Sequence, residues 1–239
     1  MRRGPSRFLL LAALLITVLN CSAAAEEGEI LLREEFDTLE RWEPLTFPRI
    51  KKHSSYSVEP LEGGACLRAE SKDSASGIVL RGTFAVKDFS RLRWRWKAER
   101  VYETGDARTK RGDDYPLRLY LVFPFDPGRA KWREKISYKA ARILYGKYPP
   151  QSALNYIWAN REHEEKILPN TFTKNSMMII LRGPGDVGSW HEEEVDIVAD
   201  YRRAFGEDPP PRAGLAIMND SDGTGESSVS YIDYIEVCR

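Results

Sequence analysis

Short stretches of alternating apolar and polar residues recur along the chain, a pattern typical of β-strands that bury one face. The clearest stretch is Leu92–Ala98, where apolar and basic residues alternate strictly. Leu117–Phe125 is more continuously apolar, so it is predicted to be a central strand. Further strands are predicted at residues 30–32, 65–71, 77–80, 153–159, 176–181, 213–218 and 229–237.

Two segments have a helical period instead. In residues 129–148, apolar side chains recur every three to four positions, and the stripe ends at Gly146. A second short helix is predicted over Val195–Phe205, with Gly206 as its stop. Because helices do not alternate with strands, the predicted fold class is mainly β. We expect an antiparallel β-sandwich (jelly-roll, galactose-binding-like or concanavalin-like) with two short inserted helices and neighbouring first and last strands.

The first 25 residues have the pattern of a secretory signal. Three arginines precede the apolar run Phe8–Leu19, which is too short to span a bilayer as a helix. Ala23 and Ala25 are the small residues that signal peptidase prefers, so cleavage is expected after Ala25 and a periplasmic or secreted location follows. In the alternative interpretation Cys21 is lipidated, which would make the protein an envelope lipoprotein.

Residues 26–239 are long enough to form a single β-sandwich domain with its own core. The full chain has 36 basic and 36 acidic residues, and this balance argues against a nucleic-acid partner. No segment after the signal reads as a transmembrane helix. After cleavage Cys66 and Cys238 remain. An oxidising compartment allows a disulfide between them, and two separate buried thiols are the alternative.

Adjacent acids precede the predicted central strand. Asp113 and Asp114 follow a glycine, and Arg118 comes four residues after Asp114. Neighbours on a strand point to opposite faces, so both acids can face one site only if the backbone turns there. This group is either a structural ion pair or a ligand site in which Arg118 holds the carboxylates in place.

A second polar segment lies between the last two predicted strands. Asp220 and Asp222 alternate ahead of Gly223, and Thr224 follows. Alternating carboxylates resemble the start of a calcium loop, because Ca²⁺ binds several oxygens, although the full EF-hand spacing is missing. Asp220 and Asp222 are therefore candidate metal ligands, with calcium as the cofactor. A plain Asp- and Gly-rich turn is the alternative.

Trp190 precedes the acidic run Glu192–Glu194. Such a run is typical of a solvated helix start, where acids interact favourably with the helix dipole. Trp190 itself is a candidate sugar-stacking residue, whereas Trp94 and Trp96 share one strand face and are interpreted as core.

Together these segments resemble a family of bacterial exported proteins known as domain of unknown function 3047. The likeness extends over residues 32–237 and rests on several motifs in one order: Lys110-x-Gly112-Asp113-Asp114-Tyr115-x-x-Arg118, Tyr156-x-Trp158-Ala159, Asp200-Tyr201-Arg202-Arg203-Ala204-Phe205-Gly206 and Asp220-x-Asp222-x-Thr224. The resemblance implies a Gram-negative envelope or secreted protein with a sandwich like those of carbohydrate-binding modules. It implies no activity.

The leading functional hypothesis is a non-catalytic envelope module that binds a glycan or another small polar ligand through loops on a rigid sandwich. The candidate ligand-binding residues are Asp113, Asp114, Arg118, Trp190, Asp220, Asp222 and Thr224. One alternative is a polysaccharide hydrolase or lyase that uses paired carboxylates, to which Glu226 could also contribute. The other alternative is a structural protein of the envelope.

Overall fold

The computed structural model of the chain describes residues 29–128 and 150–239. These residues form fourteen strands and one α-helix, α1 (Ile197–Phe205). The strands are β1 (Ile30–Glu34), β2 (Trp42–Leu45), β3 (Ser55–Leu61), β4 (Gly64–Lys72), β5 (Ala75–Leu80), β6 (Phe84–Ala85), β7 (Arg91–Ala98), β8 (Arg118–Phe123), β9 (Ser152–Trp158), β10 (Ile167–Pro169), β11 (Ser176–Arg182), β12 (His191–Asp196), β13 (Arg212–Asp220) and β14 (Ser227–Cys238).

The strands make two sheets that pack as a sandwich. The six-stranded sheet has the order β12-β7-β14-β4-β3, with β1 also paired to β14. The eight-stranded sheet has the order β10-β11-β9-β8-β13-β5-β2, with β6 also paired to β13. The mainly β sandwich is therefore confirmed. β8 lies at the centre of its sheet, and the first and last strands pair with each other, as the sequence pattern predicted.

Aromatic side chains join the two sheets in the core. On β7, Trp94 and Trp96 alternate with arginines and are fully buried, as predicted. The ring of Trp94 lies 5.3 Å from that of Tyr156 on β9, and Trp96 lies 5.5 Å from Trp158. Such pairs contribute roughly 0.5–1.5 kcal/mol each beyond the burial of their area. The basic residues of β7 consequently point away from the core, along the outer face of the six-stranded sheet.

The sheets are not wholly antiparallel. β9 and β11 pair in parallel, which the prediction of an antiparallel sandwich missed. Residues 159–175 connect these two strands and contain β10, which pairs antiparallel to β11. That connection is long enough to return the chain to the other end of the sheet, as a parallel pair requires.

The predicted helix at 195–205 begins later than expected. Val195 and Asp196 still belong to β12, where they pair with β7. The helix begins at Ile197, and the Asp196 carboxylate caps it by accepting a hydrogen bond from the Ala199 amide at 2.9 Å. Gly206 ends the helix in a left-handed conformation, with φ of 74°, as predicted. The acidic run before the helix is therefore an edge strand and not a helix start.

The predicted disulfide is wrong. Cys66 and Cys238 are both free and buried. Leu67, next to Cys66 on β4, pairs with Ile232 on β14, whereas Cys238 lies six residues further along that strand. At roughly 3.3 Å per residue the two thiols are far beyond the reach of a disulfide. The alternative of two separate buried thiols is the one that the fold adopts.

Three predictions concern residues outside the described ranges: the signal segment, Cys21 and the helix at 129–148. Within residues 29–128 and 150–239, no helix has the length and apolarity needed to cross a membrane.

Candidate functional site

The two acidic segments meet at one edge of the eight-stranded sheet. Arg118, the first residue of β8, pairs with the residue two positions before Asp220, which ends β13. Antiparallel pairing therefore places the loop that holds Asp113 and Asp114 beside the loop that holds Asp222. The segment before β8 is not extended strand, so the adjacent acids Asp113 and Asp114 both reach one cavity.

A buried ion pair lies at the base of this site. Arg118 Nε donates to Asp220 Oδ1 at 2.9 Å, and Arg118 Nη2 donates to Asp220 Oδ2, so the pair is bidentate. The Tyr115 amide also donates to Asp220 Oδ1, at 3.2 Å. The Arg118 guanidinium stacks over the Tyr115 ring at 4.4 Å. Both charged side chains are 4% exposed, so removing either partner would leave an uncompensated buried charge.

Asp113 is held from two sides. Its Oδ2 accepts hydrogen bonds from Asn170 Nδ2 at 2.9 Å and from Thr171 Oγ1 at 3.2 Å. Its Oδ1 is buried, lies 3.5 Å from Arg118 Nη1 and accepts no hydrogen bond from the described part of the chain. Arg118 Nη2 also donates to the Asp113 carbonyl at 2.6 Å. One carboxylate oxygen of Asp113 is therefore less than fully satisfied.

Asp114 connects the two loops. Its Oδ2 accepts a hydrogen bond from the Thr224 amide at 2.6 Å, and Asn160 Nδ2 donates to its backbone carbonyl at 2.6 Å. Gly223 makes the approach of the loops possible, because a Cβ there would lie 2.6 Å from the Arg111 carbonyl oxygen. Thr224 thus contributes through its backbone N–H, while its hydroxyl donates to the Ser221 carbonyl at 3.4 Å.

These side chains line one cavity of about 640 Å³, which we call the acidic cavity. That volume is within the usual range for ligand sites. Phe172 stands at the cavity with 66% of its surface exposed, and the Lys110 ammonium lies 5.7 Å from its ring centroid. The lining consists of Phe47, Pro48, Arg49, Ile50, Ala75, Lys110, Asp113, Asp114, Arg118, Tyr120, Asn170, Phe172, Met218, Asp220, Asp222 and Gly223.

Burial raises the pKa of two acids in the cavity. The pKa of Asp220 rises to about 7 because the carboxyl is buried, although Arg118 opposes the rise. Burial likewise raises the pKa of Asp114, against the hydrogen bonds from Thr224. Asp222 contributes to both the cavity and its negative charge, and it is exposed. With Arg49, Lys110 and Arg118 also in the lining, the three basic residues of the cavity nearly balance its four aspartates.

Asp114, Asp220 and Asp222 bring oxygen atoms within 4.8 Å of one another, the spacing of a candidate metal site. The donor set fits calcium poorly, however. Ca²⁺ takes six to eight oxygens, and both carboxylate oxygens of Asp220 are already bound by Arg118. Arg118 supplies the positive charge at the place where the sequence predicted a cation, so no step below is routed through a metal.

Three residues considered from sequence do not line the acidic cavity: Thr224, whose backbone contact with Asp114 is described above, Trp190 and Glu226. Trp190 lies beside the outer face of the six-stranded sheet, where its ring faces Arg95 and Lys97 at 5.0 and 5.6 Å. Glu226 accepts hydrogen bonds from the amides of Glu103 and Thr104, each at 3.0 Å. Its carboxylate is thus engaged in holding a neighbouring loop.

The sequence patterns missed the residues that two loop connections contribute to the cavity. Asn170 and Phe172 come from the connection between β10 and β11, and Phe47 comes from the connection between β2 and β3. In the sequence, Phe47 and Phe172 are each a single aromatic residue inside a polar loop. That pattern by itself does not indicate where the loop folds.

Fold and cavity together define a β-sandwich protein with a charged cavity at one sheet edge. The chain belongs to the family described as "Protein of unknown function (DUF3047)", whose profile matches residues 40–236. The predicted family is therefore confirmed. No curated protein matches the sequence.

Three solved structures with a similar outline are remote in sequence. Trichoderma harzianum endoglucanase 3 from family GH12 has 9% identity and a TM-score of 0.43, with 90% of this chain and 100% of that one covered. The family 30 carbohydrate-binding module of a Clostridium thermocellum cellulosomal cellulase has 10% identity and a TM-score of 0.40, covering 87% and 97%. Bacteriophage CBA120 tailspike protein 4 has 8% identity and a TM-score of 0.39, covering 84% of this chain and 20% of the tailspike domain. None of these likenesses bears on function.

Proposed function

We propose that this protein is an exported, non-catalytic binding protein whose acidic cavity takes a glycan or a similar small polar ligand. The observation that carries the proposal is the convergence of Asp113, Asp114, Arg118 and Asp222 with the exposed Phe172 at one cavity. Polar groups that meet in one concave site are the usual mark of a ligand pocket.

The exposed aromatic residue favours a sugar among polar ligands. Phe172 lines the cavity and is 66% exposed, so its ring is accessible to a ligand. Sugar rings have an apolar face that packs on an aromatic ring and hydroxyl groups that donate to carboxylates. Phe172 and Asp222 therefore offer the two complementary contacts at one site.

The geometry favours binding over hydrolysis. A glycosidase needs one acid and one base or nucleophile that both reach the substrate. Asp220 is bound through both oxygens by Arg118, and Asp113 is held by Asn170 and Thr171. The raised pKa of Asp220 belongs to a side chain that is 4% exposed and already paired. Asp222 is the one exposed carboxylate of the cavity, whereas Asp114 is buried and accepts a hydrogen bond from the Thr224 amide at 2.6 Å.

A glycan array probed with the purified protein tests the proposal, followed by titration calorimetry of the best ligand. We expect Phe172→Ala to weaken binding about tenfold or more, since it removes the stacking face, while Phe172→Tyr retains most of the affinity. Val58→Ala, an exposed apolar position on β3, is the matched control and should bind like wild type. Unchanged affinity in Phe172→Ala would refute the assignment of the cavity.

The same assay separates the proposal from a purely structural role in the envelope. If the polar residues only brace loops, no glycan binds, and replacing Asp114 or Asp222 with Ala should lower stability without changing the affinity for any ligand. Export is tested apart from binding, by fractionation of the cells and mass spectrometry of the mature N-terminus. A mature chain that starts at Glu26 supports cleavage after Ala25, whereas a lipidated Cys21 would replace it with an anchored form.

A further inference from the structure

We propose that Asp113 is a positioning residue of the acidic cavity, whose carboxylate holds the connection between β10 and β11 and thereby fixes the place of the Phe172 ring. This role rests on the proposed function, because it takes that ring to be the surface on which the ligand packs. It differs from the direct ligand contact that the sequence predicted for Asp113.

Asp113 is hydrogen-bonded to the two residues that directly precede Phe172. Its Oδ2 accepts a hydrogen bond from Asn170 Nδ2 at 2.9 Å and another from Thr171 Oγ1 at 3.2 Å. Asn170 Oδ1 in turn accepts a hydrogen bond from the Phe172 amide at 3.0 Å. Two successive hydrogen bonds through the Asn170 side chain therefore link the Asp113 carboxylate to the backbone of Phe172.

The loop that carries Phe172 has little packing of its own. Phe172 is 66% exposed, and residues 173–175 are exposed as well. The loop follows β10, which has three residues and lies at the edge of its sheet. Segments with few buried apolar contacts open locally at a low cost in free energy. The hydrogen bonds to Asp113 consequently have a large share in holding the ring in place.

Asp113 is itself firmly held. Its side chain is 3% exposed, with Oδ1 at 3.5 Å from Arg118 Nη1, and Arg118 Nη2 donates to its carbonyl oxygen at 2.6 Å. Arg118 begins β8 and is bonded to Asp220. A positioning group needs such support, because looseness in it would be passed on to the side chain that it positions. With Oδ2 already accepting two hydrogen bonds, Asp113 is better suited to hold the loop than to contact a ligand.

This position requires a carboxylate. Oδ2 faces the two donors of the loop, and Oδ1 faces the Arg118 guanidinium. An asparagine has one acceptor oxygen, and its NH₂ group can only donate. Whichever way that amide turned, its NH₂ would face either the loop donors or Arg118. Asp113→Asn should therefore weaken the hold on the loop while it keeps the shape of the side chain.

The first test needs no ligand. Hydrogen exchange of the peptide that covers residues 170–175, measured by mass spectrometry on the purified protein, reports how often this loop opens. We expect exchange to be about tenfold or more faster in Asp113→Asn than in wild type. Asp88→Asn, an exposed aspartate outside the cavity lining, is the matched control and should exchange like wild type. Wild-type exchange in Asp113→Asn would overturn the proposal.

A second variant removes the same contact from the side of the loop and leaves Arg118 untouched. Thr171→Val deletes one donor to Asp113 at nearly constant volume, and Thr171 does not line the cavity. We expect the exchange of residues 170–175 to become about threefold or more faster. Thr38→Val, an exposed threonine of another loop, is the control. Equal exchange in these two variants would overturn the proposal even if Asp113→Asn failed to fold.

The third measurement asks whether the position of the ring matters to binding. Titration calorimetry compares wild type, Asp113→Asn, Phe172→Ala and the double variant. The probes are cellotetraose, the N-acetylglucosamine tetramer and the tightest-binding glycan of the array. We expect Asp113→Asn to weaken binding about fivefold or more when Phe172 is present and to add no loss to Phe172→Ala, because Asp113 acts through the ring.

The outcomes separate this proposal from the proposed function. If glycans bind and Asp113→Asn weakens binding equally with and without Phe172, or not at all, the positioning role is overturned and glycan binding stands. A residue that only stabilised the fold would lower the unfolding temperature without this dependence on Phe172. If no glycan binds, the proposed function fails, and the exchange of residues 170–175 decides by itself whether Asp113 positions Phe172.

Discussion

At the scale of single residues, Arg118 has the largest effect on the acidic cavity. It enters from the outer face of β8 and brings positive charge to a cavity that four aspartates line. Burying an arginine–aspartate pair costs free energy of desolvation. Removing one partner is also costly, because the other charge then stays buried and unpaired. The residue therefore determines how close the two loops stand and which carboxylates remain available to a ligand.

Arg118→Met should lower the free energy of unfolding by about 3–5 kcal/mol, because it leaves Asp220 buried and unpaired. The double variant Arg118→Met/Asp220→Leu should lose less than the sum of the two single variants, since it removes both charges. Urea unfolding followed by tryptophan fluorescence measures all three. A loss below about 1 kcal/mol in Arg118→Met would indicate that the pair is solvated and would contradict this account.

The pKa of Glu226 in the folded protein leads us to expect that stability depends on pH. Burial alone would raise the pKa of Glu226, but hydrogen bonds from the Thr104 and Glu103 amides and the Thr104 hydroxyl lower it below its ordinary value. A lowered pKa means that Glu226 stabilises the folded state above about pH 4.3 and that this contribution is lost as the pH falls through the folded-state pKa.

The variant Glu226→Gln should therefore be less stable than wild type at neutral pH, and the difference should shrink in acid. Chemical unfolding at a series of pH values measures that difference directly. Thr173, an exposed residue outside these hydrogen bonds, supplies a control through Thr173→Ser, which should follow the wild-type profile. A difference that stayed constant down to about pH 3 would mean that the carboxylate charge plays no part.

At the scale of elements, the cavity depends on loops that two strands of one antiparallel pair bring to the same edge. β8 begins and β13 ends there, and the connection between β10 and β11 closes the third side. The tight contact of the 221–226 loop with the 110–114 segment is possible because residue 223 has no side chain. Loop conformation therefore positions Asp114 and Thr224 more than strand geometry does.

Gly223→Ala should separate these two loops. The new Cβ would lie 2.6 Å from the Arg111 carbonyl oxygen, so the backbone must shift, at a cost of about 1–3 kcal/mol. Ligand affinity should fall as well, because the Thr224 amide moves away from Asp114. Gly185→Ala is the control, since no atom lies within 4 Å of a Cβ there. Thermal unfolding and calorimetry of both variants check the effect, and equal behaviour of the two would contradict it.

At the scale of the whole molecule, the first and last strands of the sandwich pair with each other, and no disulfide joins Cys66 to Cys238. β1 pairs with the end of β14, next to the stretch where β4 pairs with the beginning of that strand. The core that joins the sheets is aromatic, and the two cysteines lie apart within one sheet. Stability therefore rests on packing between the sheets.

Because both thiols are free and buried, a reductant should leave the unfolding temperature unchanged. The intact mass of the protein under non-reducing conditions should correspond to free thiols at both Cys66 and Cys238. Iodoacetamide should label Cys66 and Cys238 after unfolding and should label neither in the folded protein, since they are 3% and 0% exposed. A mass lower by two hydrogens, together with a shift of the unfolding temperature on reduction, would show that Cys66 and Cys238 form a disulfide.

The sequence by itself determined the family, the mainly β class, the central position of β8, the buried tryptophans of β7 and the end of α1 at Gly206. These features follow from the periodicity of apolar residues and from local conformational preferences, both of which depend on residues close together in the sequence. Only the tertiary structure decided the parallel pairing of β9 with β11, the separation of the two cysteines and the meeting of Asp113, Asp114, Asp220 and Asp222 around Arg118. Each of these depends on strand order and register, which are set by packing between residues far apart in sequence. The same packing placed Trp190 outside the cavity and brought Phe172 to it. The sequence of a polar loop does not show which other loop it will contact, because that depends on where the sheet places its two ends.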